Sequence, residues 1–273
     1  MNQEKKVDFH MHSNASDGLF SPQELFRMAA AAGLAAAGLT DHDTVNGLPE
    51  AERAAHSLGL ELIPGVEISV LDEGQELHIL GYYPRYSEQL KAALEGMQRE
   101  RFRRMEMLMA KLKLLGFKIN PEEVRAEAGT AAPGRLHLAR VLLKKKYVHT
   151  LAEAFTLYLG RNRPAFIPRK TPSIVTVMGL LTEVGAIPVF AHPGRDGHKY
   201  IDKLIHLGLK GIEVYHPDHG LPLAGKYRAM ADDKGLLVTG GSDFHGDSLQ
   251  RPLYSPRFAV PYFYLEQLKE QAG

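Results

Sequence analysis

Seven short segments spread along the chain each end in residue types that bind metal ions. They are Asp8-Phe9-His10-Met11-His12, Asp17-Gly18, Thr40-Asp41-His42-Asp43, Gly65-Val66-Glu67, Leu77-His78-Ile79, Ala191-His192-Pro193 and Gly241-Ser242-Asp243-Phe244-His245. The candidate ligands are six histidines (His10, His12, His42, His78, His192, His245) and three carboxylates (Asp17, Glu67, Asp243). One catalytic zinc ion needs about three protein ligands and a water. Nine candidates therefore suffice for two or three divalent ions, the more so if a carboxylate such as Glu67 is shared. Imidazole mixed with carboxylate suits manganese, zinc or iron better than magnesium or calcium. Such ions, about 3.5–4 Å apart, can clamp an in-line displacement at phosphorus and lower the pKa of a bridging water, so that hydroxide is available near neutral pH. A lone buried histidine is more often a hydrogen-bonded core residue than a ligand. Nine candidates, most of them where an apolar run gives way to a polar turn, argue the other way.

Those residues have to be brought together by the elements that carry them. His10 and His12 are two apart on a strand read over Val7–His12, so both side chains leave one face. Asp243 and His245 repeat that spacing after the last strand. Further strands are read over Leu34–Leu39, Leu60–Ser69, Leu77–Tyr83, Ile187–Ala191, Gly211–Tyr215 and Leu236–Gly240. Helical stretches lie between most of them, and Ser21-Pro22-Gln23-Glu24 is a capping box with proline at the first helical position. Alternation of strand and helix predicts a parallel sheet with crossover helices. Ligands at nearly every strand end favour a closed or nearly closed barrel of about seven strands, because an open sheet gathers its ligand at one switch point. His78 fits least well, since apolar strand flanks it on both sides. Asp41 and Asp43 are read either as acids that orient imidazoles or as solvated loop acids. His56, His149 and His206 are read as surface residues.

Residues 98–168 break this rhythm. Met97, Met105, Leu108, Met109, Leu112 and Leu115 approximate a helical stripe. Asn120-Pro121-Glu122-Glu123 and Thr150-Leu151-Ala152-Glu153 are two more capping boxes. The expected organisation is a metal-binding α/β barrel over 1–97 and 169–273, with a mostly helical insertion over 98–168 that caps the substrate. Charge divides the same way. Arg99–Lys170 holds 17 Lys or Arg against 6 Asp or Glu, and the rest of the chain holds 16 against 26. A basic cap beside an acidic body suits an anionic substrate.

The 273 residues are 44% hydrophobic with a net charge of +1, normal for a globular protein with a substantial core. Cysteine is absent, which excludes disulfides and thiolate metal sites. No apolar run has membrane-spanning length and the first residues show no signal-peptide pattern, so a cytoplasmic location is expected. Nothing in the chain calls for an obligate protein partner.

The motifs D-F-H-M-H-S with S-D-G, L-T-D-H-D, G-V-E-I-S, H-I-L-G-Y, A-H-P-G and G-S-D-F-H resemble those of the PHP (polymerase and histidinol phosphatase) phosphoesterases. The resemblance covers most of the chain. It implies a distorted, TIM-like (β/α)7 barrel with a trinuclear centre. One ion would take His10, His12, Glu67 and Asp243, a second Glu67, His78 and His192, and a third Asp17, His42 and His245. The stretches Gly134-Arg135-Leu136-His137 and Gly160-Arg161-Asn162-Arg163-Pro164 look like the stand-alone bacterial members with a helical insertion. That likeness implies removal of the 3′-phosphate from nucleoside 3′,5′-bisphosphates and trimming of short oligonucleotides from the 5′ end. Arg135 is then the expected grip on a second phosphate, with His137, Arg161, Arg163 and His219 as further substrate contacts. Family members more often carry Tyr-Tyr-Pro where this chain has Tyr215-His216-Pro217. Two other readings stand beside it: a histidinol-phosphate-type phosphomonoesterase, and a non-catalytic scaffold or nucleic-acid-binding module.

Overall fold

The computed structural model describes residues 5–246, 253, 255 and 258–272. The chain divides into two compact units, Met1–Ala92 with Pro172–Gly273 and, between them in sequence, Ala93–Thr171.

Among the described residues the first unit is built on eight strands: β1 (Lys6–Met11), β2 (Leu34–Leu39), β3 (Glu61–Asp72), β4 (Gln75–Tyr82), β5 (Ile187–Phe190), β6 (Gly211–Tyr215), β7 (Leu237–Gly240) and β8 (Val260–Pro261). They form one sheet in the order β7-β6-β5-β4-β3-β2-β1-β8. Beyond β7 the chain turns back onto β1. Asp243 N–H donates to the His10 carbonyl (2.9 Å) and His12 N–H to the Phe244 carbonyl (3.0 Å), which nearly closes a barrel. That closure needs Gly241, since a Cβ there would stand 2.3 Å from the Cβ of His10.

Two features depart from the all-parallel expectation. β4 pairs antiparallel with both β3 and β5, and the short eighth strand, absent from the sequence reading, pairs antiparallel with β1. The cause of the first is the link after β3. Glu73 and Gly74 both take positive φ (47° and 78°), the two-residue hairpin geometry, so no crossover helix intervenes. This reversal explains His78. Because β4 runs backwards and its hairpin with β3 extends past the end of β5, a residue midway along β4 reaches the rim where the parallel strands finish, and Ala191 N–H just after β5 donates to the His78 carbonyl (3.1 Å).

The barrel interior is apolar behind that rim. Val7, Phe9, Ile63, Leu80, Tyr82 and Val189 are fully buried and pack as one cluster. Burying each of these larger side chains contributes about 1.5–3 kcal/mol. Tyr82 meets Phe9 edge-on (centroids 5.9 Å) and its hydroxyl donates to the Phe9 carbonyl (3.1 Å), so a core strand and β1 are tied by packing and by a bond. The helix Pro22–Ala31 starts on the expected reciprocal Ser21–Glu24 box.

The second unit carries most of the long helix Glu88–Leu114, then helices Pro121–Ala128 and Arg135–Lys144 and a final turn from Leu151. Its core joins Met105, Leu108 and Leu112 to Val124, Leu138 and Leu142. Of the expected stripe Met97 is also buried, whereas Leu115 lies outside it, 45% exposed. The Asn120–Glu123 box is reciprocal. At Thr150 the cap is one-sided: its hydroxyl accepts from Glu153 N–H, while the Glu153 carboxylate turns to His149 N–H (2.6 Å). Among the described residues no helix is long and apolar enough to cross a membrane.

Candidate metal centre

All nine expected ligands lie at one rim of the first unit, and Glu67 is their hub. Its Oε2 faces His12 Nε2 (3.2 Å), His10 Nε2 (3.4 Å) and His42 Nδ1 (2.9 Å). Its Oε1 faces His78 Nδ1 (2.8 Å) and His192 Nε2 (2.9 Å). Asp243 Oδ1 completes a group with His10 Nε2 (3.5 Å) and His12 Nε2 (3.2 Å). On the other side of His12, Asp17 Oδ1 stands 3.3 Å from His245 Nε2 and Asp17 Oδ2 stands 4.0 Å from His42 Nε2. Ligand atoms of three sets converge closely enough to share an ion: His10, His12, Glu67 and Asp243; His12, Asp17, His42 and His245; and His42, Glu67 and His78. His192 joins the last of these through its 3.3 Å approach to His78.

The donor atoms fit cations better than each other. Ligands about 2.1 Å from a tetrahedral ion stand about 3.4 Å apart. The His10–His12, His12–Glu67 and His10–Asp243 contacts, at 3.0, 3.2 and 3.5 Å, bracket that spacing. Glu67 Oε2 and His42 Nδ1 are buried 2.9 Å apart, yet neither makes a hydrogen bond, so their lone pairs converge without a proton suitably placed between them. Such atoms are costly to bury unless something positive meets them.

Backbone geometry aims these side chains. Asp43 (φ 53°), His192 (φ 26°) and Asp243 (φ 49°) take positive φ without being glycine. Residues held this way are strained and need their surroundings to fix them. Each has its N–H clamped across the rim: Asp43 to the Glu67 carbonyl (2.9 Å), Asp243 to the His10 carbonyl (2.9 Å), and His192 to the Glu213 carboxylate (2.8 Å). Asp17 sits on a loop folded against Asp41. The Asp41 carboxylate accepts from Ser13 N–H (2.7 Å) and from the hydroxyls of Ser13 (2.7 Å) and Ser16 (2.6 Å). Asp41 is therefore neither of the two things expected: it is buried, and it orients a loop, not an imidazole. Asp43 is buried as well, its Oδ1 accepting from Ser69 N–H (3.4 Å). Gly18 closes the same loop, where a Cβ would meet the His12 carbonyl oxygen at 2.2 Å. His56, His149 and His206 are exposed, as expected.

Charge within the centre is finely opposed. Burial alone would raise Glu67, but His42, His78 and His10 hold it well below the usual carboxylate range. Asp243 and Asp17 are held down in the same way, each by His245 among others. Burial lowers His42 to about 4 despite Glu67 and Asp17, so it stays neutral with a lone pair to give. His245 goes the other way. Burial opposes its charge, but Asp17 and Asp243 outweigh burial and lift it to about 9. The sign for stability follows. In metal-free protein the His245 contribution is complete below 6.5, its ordinary value, and is lost as pH rises through about 9. A bound cation needs that nitrogen without its proton, so affinity strengthens over the same interval. The gap in melting temperature between metal-loaded and metal-stripped protein is therefore expected to widen from pH 6.5 to pH 9. Thermal melts of both forms across that range check it, and a gap that narrows would contradict it.

Two residues not named as site residues from sequence belong here. Glu213 on β6 is fully buried, with Oε1 3.0 Å from His10 Nδ1 and Oε2 accepting from His192 N–H. It ends no strand and sits in an apolar run, so nothing in the spacing marks it. In the sequence His216 stands out only as a departure from the Tyr-Tyr-Pro pattern. It is buried, its Nδ1 accepts from Asp218 N–H (3.1 Å), and its Nε2 lies 3.5 Å from Asp243 Oδ2. His219 lies beside it (ring centroids 5.5 Å) with both nitrogens on backbone: Nδ1–H donates to the Val214 carbonyl (2.9 Å) and Nε2 accepts from Gly194 N–H (3.2 Å). It shapes the rim, leaving only its ring to touch a substrate.

The expected substrate residues of the second unit separate into two pairs. Arg135 opens the helix Arg135–Lys144, its guanidinium 5.9 Å from the ring centroids of both Phe155 and Phe166. His137, two residues on, is buried, and its Nδ1 accepts from Gly134 N–H (2.9 Å). Arg161 and Arg163 are exposed on the turn after Leu159.

Comparison with known proteins agrees with this architecture. A family model described as PHP domain matches residues 8–152. The 3′,5′-nucleoside bisphosphate phosphatase of Chromobacterium violaceum is 33% identical over 256 residues, 88% of this chain and 87% of that protein. A 5′-3′ exoribonuclease of Haemophilus influenzae is 35% identical over 248 residues, 88% of this chain and 90% of that one. Among solved structures, a Bifidobacterium adolescentis protein provisionally described as a metal-dependent phosphoesterase superposes with a TM-score of 0.89 at 29% identity, covering 97% of this chain and 96% of its own. On the fold, the gathered ligands and these relatives together, the chain belongs to the PHP domain family.

Proposed function

We propose that this protein is a metal-dependent phosphoesterase that removes the 3′-phosphate from nucleoside 3′,5′-bisphosphates and acts on short oligonucleotides from the 5′ end. Hydrolysis of phosphoric esters is the reaction class shared by the bisphosphate phosphatase and the exoribonuclease it resembles. One observation carries the metal dependence: a single fully buried carboxylate, Glu67, faces five imidazoles through its two oxygens. The finer substrate assignment rests on likeness to the bisphosphate phosphatase and the exoribonuclease, and on the cationic second unit.

In this reading His10, His12, Glu67 and Asp243 would hold one ion, Glu67, His78 and His192 a second, and Asp17, His42 and His245 a third. Manganese, zinc or iron all suit those donors. When bound, such ions polarise the phosphoryl oxygens and supply a water of lowered pKa as nucleophile. The chain sets which ring atoms face them. His245 Nδ1–H donates to the Asp243 carbonyl (2.8 Å), so Nε2 points inward. His216 accepts at Nδ1 and so, as the neutral ring, keeps its proton on Nε2, next to Asp243 Oδ2. Arg135 is the group we assign to the phosphate that does not react. Two aromatic rings beside the guanidinium limit its freedom, which lowers the entropy lost on gripping a phosphate.

The test is a phosphate-release panel with metal-stripped protein resupplied with manganese, zinc or iron. Nucleoside 3′,5′-bisphosphate is expected to turn over best, short RNA next and histidinol phosphate least, with none cleaved after stripping. Histidinol phosphate leading the series would favour the phosphomonoesterase reading. Tight RNA binding with no metal-dependent cleavage would favour a scaffold or nucleic-acid-binding module.

A further inference from the structure

We infer that Glu213 is a positioning residue that couples two of the metal groups: it fixes which nitrogen His10 presents and holds the strained backbone that presents His192. The inference rests on the metal reading above and extends it to a residue that is no ligand. Glu213 is fully buried at the centre of β6, and each of its oxygens has one N–H to serve. Oε1 is 3.0 Å from His10 Nδ1, and Oε2 is 2.8 Å from His192 N. An ionised carboxylate only accepts, so His10 carries a proton on Nδ1 and turns Nε2 toward Glu67 and Asp243. The second oxygen pins His192 at φ 26°, a conformation that a non-glycine residue keeps only when its surroundings enforce it.

This double service makes a definite demand on chemistry. Glutamine has the same size but one acceptor and one donor group in place of two acceptors. The His192 N–H is a backbone donor and cannot change. The imidazole of His10 can. In Glu213→Gln the amide oxygen therefore goes to His192, the amide N–H₂ faces His10 Nδ1, and the imidazole takes the tautomer with its proton on Nε2. That proton then sits where the lone pair toward Glu67 and Asp243 belongs.

The experiment compares wild-type and Glu213→Gln full-length protein. Histidine nitrogens are read by ¹⁵N NMR in metal-stripped samples, with a His10→Gln sample to assign the ring, and metal affinity is read by titration. Wild-type His10 is expected to keep a proton on Nδ1, whichever charge the ring carries, and the variant to lose it. Metal affinity is expected to fall about 10–100-fold, as is usual when a partner behind a ligand is removed. A variant that retains the Nδ1 proton, or one that binds metal as wild-type does, overturns the inference. A purely structural role would lower the melting temperature of the stripped protein without moving the ring proton. The tautomer is measured without turnover, so absence of phosphatase activity in the wild type would defeat the proposed function and leave this result standing.

Discussion

Replacing Glu67 with alanine is expected to empty most of the metal centre and to cut metal-dependent phosphate release by about a thousandfold or more. The size follows from position. A metal stabilises the charge of a phosphoryl-transfer transition state by several kcal/mol, and each 1.36 kcal/mol is tenfold in rate. Glu67 Oε2 faces His10 and His12, and Oε1 faces His78 and His192, so in the proposed scheme one substitution would take a ligand from both groups. Asp17 and His245, which face each other and not Glu67, should be disturbed least. Elemental analysis of the purified variant, beside its turnover on the bisphosphate, reads the outcome. Glu67→Gln, which keeps the volume and loses the charge, separates a metal effect from a packing one: its circular-dichroism spectrum at 25 °C should match that of wild type while its metal content collapses, although the stripped variant should melt lower because the ionised carboxylate, held below its usual range, is gone. Wild-type metal content and turnover in either variant would remove Glu67 from the hub.

Much of this site could be seen in the residue order because metal chemistry restricts residue type and strand geometry restricts place. A two-residue period puts His10 and His12 on one face, and the bridge between His42 and Glu67 joins consecutive rim segments. Where sequence reasoning fell short, the missing information was three-dimensional. His78 fits poorly as a strand-end ligand if β4 is taken as parallel, although Asp72-Glu73-Gly74-Gln75 holds the turn that reverses the strand. β8 has two residues and no pattern of its own; it pairs with Lys6 and Val7 from far along the chain. Glu213 could not be told from an edge-strand acid until β6 was placed beside β5 and β7, which puts the carboxylate behind His10. Asp41 showed the reverse problem. Its neighbour His42 suggested a partner for an imidazole, but the serines at 13 and 16 claim both of its oxygens.

Within the second unit, Arg135 is the substitution with the next largest expected effect, and one confined to some substrates. If its guanidinium grips the phosphate that does not react, Arg135→Ala should lower kcat/KM for nucleoside 3′,5′-bisphosphate by about 10–100-fold. That corresponds to the 1.5–3 kcal/mol of a hydrogen bond to a charged group. A nucleoside 3′-monophosphate, lacking the second phosphate, should change little. Arg135 also lies beside Phe155 and Phe166 and donates to the Leu159 carbonyl (3.5 Å), so alanine could act by loosening those contacts. Arg135→Met restores much of the apolar stem and none of the charge, and should discriminate as poorly as alanine does. Arg135→Lys keeps the charge without the planar fork, and should recover part of the preference but not all of it. Steady-state kinetics on the two substrates across these three variants decides the matter. Equal losses on both substrates would mean that Arg135 supports the helical unit and binds no phosphate.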